Sequence, residues 1–452
     1  MFRRIPIAPR TQIKEIPVIR TLPFFVLSTV LAAPTFAAVA GEDSLVLPNE
    51  EQNKAAVTKS IEDHYQEAKE LKGRFIDYLG IDEGELTAII TDHMRLVVPT
   101  DEQTATLLAQ IGEYAYRRLN WVTFGKLDAN SFKGRGGKQC YYRISRDSYD
   151  DMVVLLAEVH PTAISKGGVR SILQESHNNG GLTMAGANPP LELSKDGGDI
   201  SSWVANGMGF SWLMSHCMPA MREVNLKSGQ RQGIGSGGRG RGHLMTWLIN
   251  GVAIWASMDT IGLNRMSRFT KSVYANSGKK GGQADFDYIA IAYEVAANKI
   301  SKKIPTKNLY QITTAKLNDL TDVDYAMAWS LVDFFITQRN AEWRKLISAC
   351  GKSNNFRYPF INAFGSDKQR EHAGLAMKKK NDRGLSDVYR QVCVKVEGDW
   401  RKWAKKRWRA AYRDPSKAVL ETPFSPIRRQ GDKPEGDGEK KGKRKKKRRR
   451  RR

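Results

Sequence analysis

Cysteine is scarce in this chain of 452 residues, which contains only four: Cys140, Cys217, Cys350 and Cys393. None of them belongs to a Cys-x-x-Cys pair, and this excludes a zinc ribbon and a thioredoxin-type redox motif. An exported chain can form a disulfide between Cys350 and Cys393, but the spacing does not fix a connectivity. Scattered cysteines in a long chain are more often small buried apolar residues, and we expect that role here.

Long apolar runs are also lacking. The run near the N-terminus, from Leu22 to Phe36, is too short to span a bilayer comfortably, and no second run of about 20 apolar residues follows. Basic residues precede this run at positions 3, 4, 10, 14 and 20, and Ala38-Val39-Ala40 offers the small side chains of a cleavage site. The pattern predicts a signal peptide over residues 1–40 and an exported protein (periplasmic, cell-surface or extracellular) with no transmembrane segment in the mature chain. Retention of the segment as an uncleaved anchor stays open.

Negative charge is missing from the end of the chain. The formal net charge is +25, and residues 440–452 hold twelve Lys and Arg and no acidic residue. Without these twelve charges the total of +25 falls to +13. Such a surplus favours contact with a polyanion. Residues 414–452 are rich in Pro, Gly and charge, which predicts a disordered basic tail. We expect residues 440–452 to contact an anionic polymer: acidic polysaccharide, an envelope surface or nucleic acid.

The apolar periodicity predicts an α+β fold, with a small mixed sheet and helices followed by a mainly helical C-terminal part. We expect a linker and an N-terminal helix in residues 41–90, with helical spacing over 54–79. Residues 91–200 are expected to form a mixed α/β subdomain. Its strands are predicted at Met94–Pro99 and Cys140–Ser145, and shorter ones near 168–173 and 181–184.

The second half is expected to be a helical subdomain over residues 201–413. Helices are predicted at 203–226, 244–258, 284–300, 322–340, 341–350, 366–378 and 385–412.

Two segments of the helical half bear on metal chemistry. Residues 211–222 read Ser-Trp-Leu-Met-Ser-His-Cys-Met-Pro-Ala-Met-Arg, and residues 247–256 read Trp-Leu-Ile-Asn-Gly-Val-Ala-Ile-Trp-Ala. A helical zinc peptidase site needs two His four residues apart, because those positions share one helix face, and a Glu after the first His as general base. A carboxylate on a following helix supplies the third ligand, and water takes the fourth position.

The two segments resemble the motif helices of the gluzincin zinc peptidases, whose patterns are His-Glu-x-x-His and Trp-Leu-Asn-Glu-Gly-Leu-Ala. Over residues 90–410 the chain resembles a bacterial exported domain family of unknown function with a gluzincin-like fold. The further matching features, in the family's order, are Met94–Leu156, Tyr325–Phe335, Phe364-Gly365-Ser366-Asp367 and the Trp-rich helix Trp400–Trp408. The resemblance implies a gluzincin-like, metallopeptidase-like fold for the helical subdomain.

Only one of the family's metal ligands is present in this alignment. His216 stands at the first ligand, whereas Cys217 occupies the place of the general base, Ala220 that of the second ligand and Asn250 that of the third. Alanine offers no ligand, and a proline inside the helix, Pro219, costs about 3 kcal/mol. The resemblance therefore implies a pseudopeptidase with a remnant pocket, no catalytic residue and no expected cofactor. We expect a non-catalytic binding or scaffolding protein.

Three alternatives remain at this point. The first is an active zinc-dependent peptidase with atypical ligands, for which His216, Cys217 and His243 are weak metal candidates because Cys and His suit zinc. Adjacent helical residues point about 100° apart, which disfavours a shared ion at 216 and 217. The second is an electrostatic envelope or nucleic-acid-binding protein with an idle pocket. In the third, the resemblance is coincidental and residues 203–258 are a buried helical pair.

Two basic segments each admit two interpretations. Residues 233–242 are rich in Gly and Arg but lack the Gly-Lys-Ser/Thr ending of a phosphate loop, so they form either a flexible interhelix loop or a polyanion contact. Trp400, Trp403 and Trp408 alternate with Lys and Arg. Such a helix either lies on an anionic surface or docks its Trp side chains on the core.

Overall fold

The computed structural model describes residues 50–127, 137–179, 181–184, 187–195, 199–227, 246–265, 287–315, 319–350, 356–414 and 422–424. For residues 175–179 and 217–227 it describes the backbone only. The predicted signal peptide, the Gly-rich segment 233–242, His243 and the basic stretch 440–452 lie outside the described residues.

Two helices, not one, begin the described chain: α1 (Glu50–Asp63) and α2 (Tyr65–Leu79). The helical spacing over residues 54–79 predicts a single helix, but the helix breaks at His64. Helix α2 buries Ala68, Leu71 and Phe75, and it ends at Gly80, whose φ of 63° requires the left-handed region that glycine tolerates.

One mixed sheet of five strands lies in the N-terminal half of the described chain. Its strands are β1 (Thr87–Ile90), β2 (Met94–Val98), β3 (Gln139–Ile144), β4 (Gly181–Met184) and β5 (Leu191–Lys195), in the order β1-β2-β3-β5-β4. Strands β2, β3 and β5 are parallel, and β1 and β4 are antiparallel edge strands. The pairs Leu96↔Tyr141 and Tyr142↔Leu193 set the register.

The sheet is covered on both faces. Tyr141 and its neighbours on that face pack in the main core, which includes residues of α3 (Glu102–Phe124) and of the helical half. Tyr142 points to the opposite face, where it packs with residues of α2 and of α4 (Tyr149–Val159). The alternation follows from the pleat, which turns successive side chains to opposite faces.

The C-terminal half is mainly helical. Its helices in the described residues are α6 (Ile200–Lys227), α7 (Thr246–Ile261), α8 (Tyr288–Ala296), α9 (Leu309–Thr314), α10 (Asp322–Gln338), α11 (Asn340–Cys350), α12 (Arg357–Phe364), α13 (Asp367–Lys378), α14 (Asp382–Arg407) and α15 (Arg409–Arg413); α5 (Val169–Asn179) precedes them. Nearly every side chain of α7 is buried, as expected for a helix apolar on all sides. Together with the sheet, these helices confirm the α+β fold class.

Further sequence predictions fail in detail. The strand predicted near 168–173 is wrong: a 3-10 turn at Lys166–Gly168 leads directly into helix α5. The sheet also begins before residue 91, because β1 starts at Thr87 within the stretch expected to be linker and helix. Helices α9 and α12 were not predicted.

Several side-chain predictions can be compared with the structure. Cys140, Cys350 and Cys393 are buried free thiols. Trp400 is fully buried and its Nε1 donates to Oγ of Ser330 at 3.1 Å, so the Trp-rich helix docks on the core. Among the helices the structure describes, none is long and apolar enough to cross a membrane.

Candidate functional site

The two motif helices pack backbone to backbone. A Cβ atom on Gly209 of α6 would lie 2.7 Å from Cβ of Ala256 and 2.9 Å from the carbonyl oxygen of Val252, both on α7. A Cβ on Gly251 of α7 would lie 2.8 Å from the carbonyl oxygen of Ala328 on α10. Glycine is required at both positions, because any larger residue would force the helices apart. Helices α6, α7 and α10 thus form one tightly packed layer.

His216, the first-ligand position, lies in an aromatic corner at the end of α3. Its ring centroid is 4.6 Å from that of Trp212 and 4.9 Å from that of Phe124. Trp212 is fully buried and its Nε1 donates to Oδ1 of Asn120 at 2.8 Å. The His216 ring therefore contributes to packing between α3 and α6.

Asn250, the third-ligand position, is turned toward its own helix. Its Nδ2 donates to the backbone carbonyl of Thr246 at 2.8 Å, and the residue is 3% exposed. Helix α6 continues through Pro219, but the side chains of Cys217 and Ala220 lie outside the described residues, as does His243. In the part of the chain with described side chains, no three His, Cys, Asp or Glu residues are grouped to hold a metal ion. The described side chains at these positions do not form a zinc-ligand set.

A buried carboxylate–imidazole pair lies where the turn between β1 and β2 meets α3. Oε2 of Glu113 is 2.8 Å from Nδ1 of His93, and Oε1 accepts from the backbone N–H of His93 at 3.1 Å. The hydroxyl of Thr91 also donates to Oε1. These bonds, with the charges of His93 and Arg117, lower the pKa of Glu113 although burial acts to raise it.

The His93 ring is oriented by this carboxylate. An Nδ1–H donated to Glu113 holds the ring in place, and in the neutral form of the ring it leaves Nε2 without a proton. The ring stacks on Tyr116 with centroids 4.1 Å apart, and the side chain is 12% exposed. A buried carboxylate that orients an imidazole is the arrangement found in general bases and in the outer shell of metal-binding histidines.

Further titratable groups surround the same turn. Nζ of Lys138 donates to the backbone carbonyl of Thr91 at 2.7 Å and lies 3.1 Å from Nε2 of His64. The same His64 nitrogen lies 3.3 Å from Oδ1 of Asp92. Burial, with the nearby charge of Arg95, lowers the pKa of Lys138. We call Glu113, His93, Thr91, Lys138 and His64 the turn cluster.

A second group of charges lies on the motif helix α7. Asp259 accepts from both Nε and Nη2 of Arg118, at 2.9 and 3.3 Å. Nε1 of Trp255 donates to Oδ1 of Asp333 at 3.2 Å. Burial raises the pKa of Asp333 to about 6, assisted by repulsion from Asp259 and opposed by Arg407. Two neighbouring carboxyl groups thus stand in different environments, one paired with arginine and one not.

Sequence reasoning singled out neither group. Thr91-Asp92-His93 forms a short polar interruption between two apolar strands, and Glu113 lies on the mostly apolar buried face of α3. A charged residue on a helix face that is expected to be buried indicates a polar site, because a buried charge must be paired.

No protein-family model matches this chain, and comparisons with curated proteins and with solved structures find no match either.

Proposed function

We propose that this protein is an exported pseudopeptidase: a non-catalytic binding or scaffolding protein with a gluzincin-like frame. The observation that carries the proposal is the state of the two described motif positions. The imidazole of His216 packs between Trp212 and Phe124, and the amide of Asn250 is bonded to the carbonyl of Thr246 within its own helix.

The packing of the frame supports the same proposal. Gly209 and Gly251 allow α6, α7 and α10 to approach at backbone distance, so these two glycines serve close helix packing. A protein that only binds a partner needs a rigid scaffold to hold its binding surface in place. It does not need a metal ion for this. The export prediction rests on the sequence of residues 1–40 and is part of the proposal.

Metal content tests the proposal against the active-peptidase alternative. The full chain is purified without added metal and its zinc is counted by mass spectrometry, beside His216→Ala and the control His372→Ala at an exposed position of α13. We expect far less than one zinc per chain in all three proteins. One zinc per chain that is lost in His216→Ala and kept in His372→Ala would reverse the proposal.

We further propose that the partner is an anionic polymer, contacted through residues 440–452. The support is charge: twelve Lys and Arg in thirteen positions, which release counterions when they bind a polyanion. In the full chain, replacing these twelve residues by Gln is expected to lower the salt concentration for elution from heparin and from DNA. Replacing Lys378, Lys379 and Lys380, which are exposed on the body, is the control and should change elution little. Equal elution of the tail variant and the wild type would remove the polyanion from the proposal.

A further inference from the structure

The Trp-rich helix that docks on the core carries cations on its outer side. Trp400 and Trp408 are buried, whereas Lys402, Lys405 and Arg409 are exposed. Backbone hydrogen bonds between residues four apart continue through the junction of α14 and α15. The three cations, spaced three and four residues apart, therefore share one face.

The loop between α8 and α9 carries three exposed lysines, Lys299, Lys302 and Lys303. Two contacts hold this loop against α14 and α15. Nη1 of Arg401 donates to Oδ1 of Asn298 at 3.0 Å, and Nζ of Lys299 lies 5.8 Å from the ring centroid of Tyr412. Along the chain these contacts stand on either side of the exposed cations at 405 and 409, so the loop and the helices present their charges on one surface.

We call this set of six cations the basic surface: Lys299, Lys302, Lys303, Lys402, Lys405 and Arg409. In the part of the chain that the structure describes, none of the six forms an ion pair. Two acidic side chains beside the surface are bonded to other groups. Glu397 accepts from Nε of Arg401 at 2.9 Å, and Glu294 accepts from the hydroxyl of Tyr412 at 3.1 Å. The charge of the basic surface is therefore left for an anionic partner.

We propose that the basic surface binds the phosphate backbone of double-stranded nucleic acid. The surface lies on the folded body and is separate from residues 440–452. The inference therefore goes beyond the proposed contact through the tail, and it rests neither on that contact nor on the pseudopeptidase.

The position of the aromatic side chains favours a duplex over other anionic partners. Proteins that bind single strands stack the bases on aromatic side chains, and a helix that lies in a membrane interface inserts its apolar and Trp side chains. Here Trp400 and Trp408 are buried, and Trp403 packs on Phe334 with ring centroids 5.4 Å apart. The basic surface therefore offers charge without exposed aromatic rings.

The spacing of the charges also agrees with a duplex. Lys402 and Arg409 are seven residues apart, which is about 10 Å along a helix. Successive phosphates of one strand advance about 3.4 Å along the duplex axis, so this distance matches about three phosphates. Contacts to phosphates fix the position of a protein on the duplex but do not read its bases. We therefore expect binding without sequence preference.

The salt dependence of duplex binding tests the proposal. The reference protein is the full chain in which the twelve Lys and Arg of residues 440–452 are replaced by Gln, so a failure of the tail proposal is not confused with a failure of this one. The surface variant adds Lys302→Gln, Lys405→Gln and Arg409→Gln to the reference. Binding to a duplex of about 20 base pairs, enough for several phosphate contacts, is measured by fluorescence anisotropy at several salt concentrations.

A control variant removes the same charge at another place. It adds Lys378→Gln, Lys379→Gln and Arg383→Gln to the reference, at exposed positions near the connection of α13 and α14. Glutamine has nearly the helix propensity of lysine and arginine, so we expect all three proteins to fold alike. Thermal unfolding followed by circular dichroism checks this.

We expect the surface variant to bind the duplex about tenfold more weakly than the reference at low salt. The slope of log K against log salt should fall by about 2–3 in magnitude, because each lost phosphate contact removes about 0.9. The control variant should change the affinity less than about twofold, since its cations lie outside the contact.

Three results would overturn the proposal. The first is an equal loss in the surface and control variants, which would mean that net charge alone sets the affinity. The second is a reference protein that does not bind the duplex, or that binds a single strand of the same length more tightly. The third is a surface variant that loses affinity for heparin but keeps its affinity for the duplex, which would assign the surface to an acidic polysaccharide.

Discussion

Oε2 of Glu113 lies 2.8 Å from Nδ1 of His93, so a carboxylate of helix α3 is bonded to the turn that joins β1 to β2. Glu113 is 1% exposed, and the same carboxylate accepts from the backbone and the hydroxyl of that turn. A buried charge is tolerated only when it is paired and hydrogen-bonded. The turn conformation and the position of α3 are therefore set together.

Glu113→Ala is expected to lower the free energy of unfolding by about 3–5 kcal/mol. The reason is that the substitution leaves His93, Thr91 and a nearby arginine without their buried acceptor. Denaturant unfolding followed by circular dichroism measures the change. Glu70→Ala, at an exposed position of α2, is the control and should stay within about 0.5 kcal/mol of the wild type. A loss below about 1 kcal/mol in Glu113→Ala would show that the carboxylate does not hold the turn.

Gly251→Ala and Gly73→Ala are expected to act in opposite directions. The added Cβ at Gly251 meets the carbonyl oxygen of Ala328 at 2.8 Å, and overpacking of this kind costs about 1–3 kcal/mol. Gly73 lies inside α2 with no atom within 4 Å of the added Cβ, so alanine should raise the free energy of unfolding by about 0.5–1 kcal/mol. Thermal unfolding of the two variants provides the comparison, and destabilisation in both would contradict the packing argument.

The elements with strong apolar runs were predictable from the sequence. Strand β2 was expected at Met94–Pro99 and is found at Met94–Val98, since its apolar run is broken only at Arg95. Helix α7 was placed within a few residues for the same reason. The error at α5 has a simple cause. Val169, Ile172 and Leu173 are spaced at i, i+3 and i+4, which is a helical period, but the short run was taken for a strand.

The polar sites were not predictable, because their partners are distant in the sequence. His93 and Glu113 are 20 residues apart, and Asp333 is 78 residues from Trp255. A short sequence motif identifies residues on one helix or strand. Each of these two pairs instead joins residues from two different elements. The helices predicted at 203–226 and 244–258 are found as α6 and α7, but the sequence could not foresee that Asn250 bonds to its own helix at Thr246.

Asp333→Asn is expected to stabilise the protein in alkaline solution and not at pH 4. The pKa of Asp333 is raised to about 6 in the folded chain, above the usual value near 3.9 in the unfolded chain. The folded state therefore binds the proton more tightly, and the wild type loses free energy of unfolding as the pH rises from about 4 through 6. The uncharged amide avoids this loss.

At pH 8 the gain in Asp333→Asn should be about 1–2 kcal/mol, discounted from the full shift for partial solvent access. Asp387→Asn, at an exposed position of α14, is the matched control and should show no pH-dependent difference from the wild type. Urea unfolding at several pH values measures both variants. A gain in Asp333→Asn that is the same at pH 4 and pH 8 would exclude titration of this carboxyl as its cause.

His160 is expected to give the opposite pH dependence. Its Nε2 lies 2.6 Å from the hydroxyl of the buried Tyr142, and the residue is 4% exposed. Burial, with the charge of Arg95, lowers the pKa of His160 to about 4, so the ring is neutral in the folded protein at pH 6. The unfolded chain takes up a proton near pH 6.5. The stability contributed by the neutral ring is therefore complete above pH 6.5 and is lost as the pH falls toward 4, by up to about 3 kcal/mol.

His160→Gln removes this titration, so its free energy of unfolding should fall less steeply than that of the wild type between pH 6.5 and 4.5. His372→Gln, at an exposed position of α13, should keep the wild-type slope. Urea unfolding at one-unit pH steps compares the three proteins. Carboxyl groups that titrate in the same range contribute equally to all three slopes of unfolding free energy against pH, so their contribution drops out of the differences between slopes. Equal slopes in the wild type and His160→Gln would mean that His160 is charged in the folded state, and that its contact with Tyr142 accommodates the imidazolium.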